Sequence, residues 1–397
     1  MDQRVREHAA TLVDWSARVD PGDAVVVSVA EGAHDLAVAV AEALGERDAT
    51  PVFLYDSDEV SRAFLRAGLD HDGSGDAGDD TDADADDYDD AERADEAEPT
   101  DDRTFHEPAH ERALLEAADV YLRLGGGRNT AARADVPGPR RQARARAVQA
   151  VREARFDTRW VSTVHPTRSL AQAAGMSYEA YREFAYGAIL RDWGALADEM
   201  DRLKRRLDAG SEVHLVAPGT DLRLSIEGRT AVNSAASVAY DSHNLPSGEV
   251  FTAPHGAEGE VTFDVPLTID GRRVRDVRLV FEDGTVVEHD AAEGADAVAD
   301  VLDTDAGARR LGELGIGMNR VIDRFTDNVL FDEKMGDTVH LAVGRAYDAC
   351  LPEGESGNDS AVHVDMILDV SEDARLEVDG EVVQRNGRFA WEDGFED

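Results

Sequence analysis

The stretch DAVVVSVAEGAHDLAVAVAEALGERDATPVFLY, residues 23–55, decides the fold class of the first half of the chain. Its two ends, 23–30 and 51–55, are short runs rich in β-branched residues, and the segment between them has the apolar spacing of an amphipathic helix. The same series continues with strand-like runs and an arginine-rich helical pattern, at 119–124, 158–164 and 139–155. Strands that alternate with helices predict a parallel sheet covered by helices.

The pattern changes after a long helical region at 178–207. Apolar and polar residues then alternate between Gly or Asp turns in EVHLVAPGTDLRLSIEG (212–228), GEVTFDVPL (259–267) and VRDVRLVFEDGTVVEHD (274–290). This alternation is typical of antiparallel or barrel-like sheet. A helix is expected near 293–303, with mixed α/β sequence after it.

We therefore predict an α/β chain of the α+β multidomain kind. An α/β domain with a parallel sheet is expected at 1–208. The part at 209–397 is expected to combine antiparallel, barrel-like sheet with mixed α/β structure.

Composition excludes several classes of protein. The 397 residues are 42% hydrophobic and 31% charged, and no apolar run approaches the roughly 18 residues that a membrane span requires. The first residues lack the apolar core of a secretory signal, so we expect a cytoplasmic protein. Cys350 is the single cysteine. It can make no internal disulfide and no thiolate cluster, so nitrogen and oxygen must hold any metal.

The formal charge is −43, and arginine supplies 39 of the 41 basic residues. Such a surface repels nucleic acid and anionic membranes. An acidic chain poor in lysine resembles cytosolic proteins of salt-in halophiles, so we expect a halophilic, archaeal-like member of its family. The segment 70–103 has 17 acidic residues and almost nothing to bury, which predicts a disordered insertion in the first domain.

One motif in the first half suggests a phosphate site. LGGGRNT, residues 124–130, follows a predicted strand directly, as a phosphate-binding loop does. It lacks both the spacing of a dinucleotide fingerprint and the Gly-Lys-Ser/Thr of a P-loop. A tight glycine turn is therefore the favoured interpretation. His165 and His214 have no clustered partners and are interpreted as core or surface residues.

The residues that point to chemistry lie between Thr338 and Val370. In AVHVDMIL, His363 and Asp365 are two positions apart in a predicted strand, so their side chains share a face. His340 occupies a similar position in TVHLAVG, and Tyr347 follows seven residues later. Imidazoles with carboxylate and other oxygen donors suit Zn²⁺, Co²⁺ or Mn²⁺. A simple hydrogen-bonded His–Asp pair would give the same local pattern.

Two further glutamates have unusual surroundings. Glu249 follows a Pro-Ser-Gly turn in NLPSGEVFTAP (244–254), and Glu313 lies among glycines in RRLGELGIGMN (309–319). Each is also compatible with an exposed turn residue, because the chain has 84 acidic residues.

Five stretches, in order and well separated, resemble the thermophilic-type metallo-aminopeptidase family, which includes aminopeptidases T, S and II. They are NLPSGEVFTAP, GEVTFDVPL, RRLGELGIGMN, FDEKMGDTVHLAVGRAY and SAVHVDMILD. The resemblance covers the second half strongly. In the first half it rests on the α/β alternation and on the Asp-Trp of AILRDWGALADEM.

This resemblance implies a metal-dependent aminopeptidase that uses two divalent metal ions (Zn, Co or Mn) to activate water against the N-terminal peptide bond of short peptides. It implies a homodimer with a peptide substrate and makes 209–397 the metal-binding, catalytic domain. Six metal ligands are implied: Glu249, Glu313, His340, Tyr347, His363 and Asp365. Glu313 is expected to bridge the two ions, and Glu313, Lys334 and Tyr347 are the expected catalytic residues. Lys334, one of only two lysines, could stabilise an oxyanion or hold a ligand carboxylate. Glu333 is a weaker candidate for proton transfer.

Two other functions remain open from the sequence. The same metals could serve a hydrolase of a dipeptide-like metabolite, or the chain could bind metal or peptide without catalysis.

Overall fold

The computed structural model describes residues 1–67, 105–269 and 271–395. The predicted disordered insertion at 70–103 lies outside these described residues.

The predicted parallel sheet is present in the first half. It contains strands β1 (Ala24–Ala30), β2 (Thr50–Asp56), β3 (Val120–Gly125) and β4 (Arg159–Val164), which run parallel in the spatial order β2-β1-β3-β4. The described helices of this half are α1 (Gln3–Ala10), continued as a π-helix at Thr11–Ser16, α2 (His34–Glu46), α3 (Asp58–Arg66), α4 (Ala109–Glu116), α5 (Gly138–Ala147), α6 (Gln149–Phe156), α7 (Arg168–Ala173), α8 (Tyr178–Ile189) and α9 (Trp193–Ala209). The alternation predicted from residues 23–55 is confirmed.

Two predicted helices are each divided in the structure. The arginine-rich pattern near 139–155 forms α5 and α6, which meet at Val148. The region 178–207 forms α8 and α9, because the side chain of Asp192 accepts a hydrogen bond from the backbone N–H of Ala195 and caps a new helix. Apolar spacing continues across both breaks, so periodicity alone did not reveal them.

The second half is mainly antiparallel, as predicted. One sheet contains β5 (Glu212–Ala217), β6 (Thr220–Ser225), β10 (Gly256–Phe263), β11 (Leu267–Ile269), β12 (Arg272–Glu282), β13 (Thr285–Glu293), β17 (Arg375–Val378), β18 (Glu381–Arg385) and β19 (Arg388–Phe389). A second sheet has the order β16-β15-β14-β9-β7, from His363–Asp369, Thr338–Gly344, Leu311–Gly317, Glu249–Thr252 and Val232–Ser234. The described helices here are α10 (Ala295–Leu302) and α11 (Val329–Asp332).

The two halves are joined through a short strand, β8 (Asn244–Leu245), which pairs in parallel with β4. The first sheet therefore includes a strand from beyond residue 209, and the boundary at 208/209 stays a prediction. One hydrophobic core runs continuously from the helices of the first half to the antiparallel sheets. No described helix is long and apolar enough to cross a membrane.

A buried histidine connects α1 to this junction. Nε2 of His8 lies 2.7 Å from Oγ1 of Thr163, and that hydroxyl donates to the carbonyl oxygen of Leu245 at 2.6 Å. Since the hydroxyl has a single proton, His8 must donate through a neutral, Nε2-protonated ring. Burial, with a smaller effect from His165, lowers the pKa of His8 to about 3.

We predict that His8 makes folding sensitive to acid. Its pKa is near 6.5 when unfolded and about 3 when folded, so the unfolded chain binds more protons as the pH falls. The stabilising effect is complete above pH 6.5 and lost on the way to pH 3. Between pH 7 and pH 5 the free energy of unfolding should fall by about 2 kcal/mol through this group. Denaturant titrations of the wild type and of His8→Gln would measure it. Parallel pH dependences for the two proteins would contradict the prediction.

Candidate metal centre

The five-stranded antiparallel sheet brings the predicted site residues onto one face. In its register His340 lies opposite Gly315, Asp365 and Glu313 lie on either side of Ala342, and Glu249 lies opposite Gly317. Directly opposed residues of antiparallel strands share a face, as do residues two apart in one strand. The side chains of His363 and Asp365 therefore lie on the same face, as their spacing in the sequence predicts.

The carboxylate of Glu313 occupies the middle of the cluster. Its Oε1 lies 3.3 Å from Nε2 of His340, and its Oε2 lies 3.2 Å from Nε2 of His363. On the outer sides, Glu249 Oε2 lies 3.6 Å from His340 Nε2, and Asp365 Oδ1 lies 3.6 Å from His363 Nε2. Glu249, Glu313 and His340 are buried, with 5%, 5% and 0% of their surfaces exposed. The exposed-turn interpretation of the two glutamates is thus excluded.

The two imidazoles and the central carboxylate perturb one another. Burial would lower the pKa of His363, but the neighbouring carboxylates of Asp365 and Glu313 raise that pKa to about 11. Burial opposes ionisation of Glu313, yet hydrogen bonds from His340 and His363 bring its pKa below the usual value. Burial raises the pKa of Glu249 despite the nearby Lys334. Such strongly perturbed groups in one cluster are typical of functional sites.

The backbone fixes the orientation of His363. Its Nδ1 lies 2.8 Å from the carbonyl oxygen of Arg345, which can only accept, so Nδ1 carries a proton. The other ring nitrogen, Nε2, then faces Glu313 and Asp365. A metal-binding histidine is commonly held in this way, by a carbonyl on the nitrogen that does not bind the ion.

Tyr347 lies beside the cluster, in the segment after β15. The centroid of its ring is 4.9 Å from that of His363 and 5.7 Å from that of Phe251, and 48% of its surface is exposed. Burial on its inner side and the negative charges of Glu313, Asp365 and Glu249 raise the pKa of its hydroxyl. The hydroxyl therefore stays protonated and can donate a hydrogen bond.

Lys334 is completely buried against the outer side of the cluster. Its Nζ lies 3.4 Å from Oε1 of Glu249 and contacts Oε1 of Glu333 directly. The six predicted ligands, Lys334 and Glu333 therefore lie close together. Glu333 and Lys334 are next to Glu249, and Tyr347 is next to His363.

The geometry fits divalent cations. Oε2 of Glu249 and Oδ1 of Asp365 are buried oxygens without a hydrogen-bond partner among the described residues. Donor atoms of Glu313, His363 and Asp365 all lie within 4.8 Å of one another. With neutral histidines, four carboxylates face one ammonium, and burial of such excess negative charge is costly without cations. The nitrogen and oxygen donors suit borderline and hard divalent ions.

Glycines create the space for this cluster. The sequence shows glycines around Glu313 but does not show that they make room for neighbouring side chains. A Cβ on Gly315 would lie 2.0 Å from Nε2 of His340, so the imidazole rests directly on the glycine backbone. Gly312 is where the register between β14 and β15 shifts, just before Glu313. A shift of this kind re-aims the side chain that follows it.

Some functional contacts had no signal in the sequence. The carbonyl of Arg345 is a backbone group, which no residue type announces. Asn319, which contacts the turn before Glu249, ends the stretch RRLGELGIGMN, and no spacing or residue pattern there distinguishes it.

The glycine turn of LGGGRNT is filled by the protein itself. The carboxylate of Asp58 accepts hydrogen bonds from the backbone N–H groups of Arg128 and Asn129, at 3.1 and 3.3 Å. A Cβ on Gly127 would lie 2.6 Å from this carboxylate. The donors that a phosphate would use are therefore already bound to Asp58, which favours the tight-turn interpretation.

A family model described as thermophilic metalloprotease (M29) matches residues 88–389. The chain belongs to this family.

The curated relatives are aminopeptidases. Aminopeptidase 2 of Geobacillus stearothermophilus is 35% identical over 185 residues, which are 41% of this chain and 43% of the relative. Aminopeptidase T of Thermus thermophilus is 33% identical over 286 residues, or 61% of this chain and 67% of the relative. The chain thus matches between about two fifths and two thirds of these relatives' length. The solved structure of wild-type AmpT from Thermus thermophilus has a TM-score of 0.79 at 25% identity, covering 98% of this chain and 99% of that one.

We predict that Gly315→Ala displaces His340. The new Cβ would overlap the imidazole, so the ring must move away from Glu313 and Glu249. We expect the affinity for Zn²⁺ to fall by about 10- to 100-fold, measured by calorimetry on protein from which a chelator has removed the metal.

Gly45→Ala is the matched control, because Gly45 lies in α2 with nothing near its Cβ position. This variant should bind metal normally and gain about 0.5–1 kcal/mol of stability. Unchanged metal affinity in Gly315→Ala would show that His340 does not bind the ion from this position.

Proposed function

We propose that this chain is a metal-dependent aminopeptidase that hydrolyses the N-terminal peptide bond of short peptides. The observation that carries the proposal is the position of Glu313. Each of its two oxygens faces a different imidazole, and a second carboxylate lies near the same Nε2 atom of each imidazole. This is the arrangement expected of a carboxylate that bridges two ions. The family membership and the names of the curated relatives support the same activity.

The two divalent ions would be Zn, Co or Mn, held by six ligands. Glu249 and His340 would hold one ion, His363 and Asp365 the other, and Glu313 would bridge them. Tyr347 completes the set through its hydroxyl. The catalytic part of the chain is then 209–397, since every one of these residues lies there.

Bound ions of this kind polarise a carbonyl group and lower the pKa of water. The protein's own residues supply the rest. The protonated hydroxyl of Tyr347 can donate to the carbonyl oxygen as negative charge develops there. Lys334 holds Glu249 in place and offsets its charge. Glu333, in contact with Lys334, is the proposed proton acceptor. A free α-amino group is cationic and suits the acidic cluster, which favours attack at the N-terminal bond.

The cellular setting is part of the proposal. The charge of −43 and the near absence of lysine support a cytoplasmic enzyme of a halophilic, archaeal-like organism, where concentrated salt screens the surface. We also propose a homodimer, as the family resemblance implies.

We predict metal-dependent hydrolysis of leucine and arginine aminoacyl amides in about 2–3 M KCl, a concentration at which salt screens charges over a few ångströms. Chelation should abolish release of the amino acid, and Zn²⁺, Co²⁺ or Mn²⁺ should restore it. Glu313→Gln should lower kcat by at least about 100-fold, because one bridging oxygen becomes an amide nitrogen.

Two results would contradict the assignment. Folded, metal-loaded protein that releases no amino acid from any peptide or amide would leave a metal-binding relative. Cleavage of dipeptides with no cleavage of tri- and tetrapeptides would indicate a metabolite amidase.

We predict that Lys334→Met lowers kcat by about 100-fold, because it removes the cation that both Glu249 and Glu333 contact. Lys204→Met is a matched control, since Lys204 is the other lysine and pairs with Asp208 on the surface of α9 at 2.6 Å. The control should keep wild-type kcat. Equal activities of the two variants would remove Lys334 from the catalytic residues.

A further inference from the structure

We propose that Asn319 is a positioning residue of the metal centre, which fixes the turn before Glu249 together with the segment that carries Lys334. The inference rests on the proposed function and deepens it, because it identifies what holds two of the site residues in place. Asn319 follows the end of β14 and has no exposed surface.

The side chain of Asn319 connects three separate segments. Its Nδ2 donates to the carbonyl oxygen of Ser247 at 2.9 Å and to that of Ala188, in α8, at 3.4 Å. Its Oδ1 accepts from Nη1 of Arg191 at 2.5 Å. An amide can make these contacts in one orientation only, because the guanidinium is purely a donor and the two carbonyls are purely acceptors.

The backbone of Asn319 extends the same connection. Its N–H lies 3.1 Å from the carbonyl oxygen of Gly248 and 3.1 Å from that of Lys334. It also forms an isolated bridge with Met335. Gly248 immediately precedes Glu249. Asn319 therefore contacts the segment that carries Glu249 and also the segment that carries Lys334, the two partners of the ion pair.

The turn before Glu249 packs directly on this asparagine. Gly248 has a φ of +115°, and a Cβ there would lie 2.8 Å from Cβ of Asn319. On its other side the turn is held by three buried serines, of which Ser234 lies 2.7 Å from Ser247 through their hydroxyls. Because β9 begins at Glu249, any displacement of the turn moves the carboxylate.

Arg191 determines the orientation of the amide. Burial lowers the pKa of its guanidinium, and its Nε has no hydrogen-bond partner among the described residues. The contact with Oδ1 of Asn319 is therefore an important polar contact for this partly buried cation. It keeps the NH₂ group of Asn319 directed at Ser247 and Ala188.

The experiment compares Asn319→Ala and Asn319→Asp with the wild type in metal affinity, kcat, KM and unfolding free energy. Asn319→Ala removes all side-chain contacts. Asn319→Asp keeps the volume and an acceptor for Arg191, so the fold is retained, but it turns an oxygen toward the two carbonyls. We expect both variants to lose about 10- to 100-fold in Zn²⁺ affinity of the chelated protein, and a similar factor in kcat, with KM within about threefold.

Asn233→Ala is the matched control. Asn233 is also a buried asparagine, on β7 of the same sheet, and its Nδ2 donates to the carbonyl oxygen of Ala197 in α9 at 2.9 Å. Within the part of the chain that the structure describes, its side chain makes no hydrogen bond with the turn before Glu249. This variant should lose stability while keeping the metal affinity and kcat of the wild type.

The results separate this inference from the proposed function. If Asn319→Ala and Asn319→Asp bind Zn²⁺ as tightly as Asn233→Ala does, Asn319 is a structural residue only and the inference is overturned. If the wild type binds Zn²⁺ but hydrolyses nothing, the proposed function fails, while the affinity measurements still decide the role of Asn319. A wild type that binds no metal would overturn both.

Discussion

Mutual repulsion of buried carboxylates is the constraint on which the rest of this structure depends. Glu249, Glu313 and Asp365 share one face of a sheet, and Glu333 approaches them from the side. Transfer of each charge from water into such a place costs several kcal/mol even after relaxation. Lys334 supplies one positive charge and cannot offset four. The two histidines compensate only when protonated, which explains why the carboxylates raise the pKa of His363 to about 11. Divalent ions would offset the charge of the carboxylates and would allow the two histidines to stay neutral.

The sheet holds this repelling set because its geometry leaves the side chains no alternative. A slip of one residue in the register would turn the side chains of this cluster to the opposite face of the sheet, where the hydrophobic core lies. Leu314, Ile316 and Leu341 occupy that core face and are fully buried. Displacing them to relieve the carboxylates would expose apolar surface, at about 25 cal/mol for each Å². Core packing therefore fixes the register, and the register brings the charges together.

The fold class and the clustering of the predicted site residues could be predicted from features of the sequence that have a fixed period. Alternation at two residues placed His363 with Asp365, and alternating strands and helices gave the parallel sheet. Contacts between residues on different strands leave no periodic pattern in the sequence, and these contacts were not predicted. Gly315 is needed because an imidazole from the neighbouring strand rests on it, and only the register between β14 and β15 reveals that neighbour. The pairing of β8 with β4 was missed because two residues are too short to show a pattern.

The choice of lysine at 334 follows from the same electrostatics. This chain uses arginine at 39 of 41 basic positions, so a lysine in a completely buried position needs a physical cause. A guanidinium carries five N–H donors in a rigid plane, and each would need an acceptor where no water is available. The ammonium is compact and has three donors, and Glu249 and Glu333 already face it. An arginine here would have to displace Glu249 from His340 or leave donors unpaired. The lysine at residue 334 therefore follows from the space beside one carboxylate, and not from the preference for arginine in the rest of the chain.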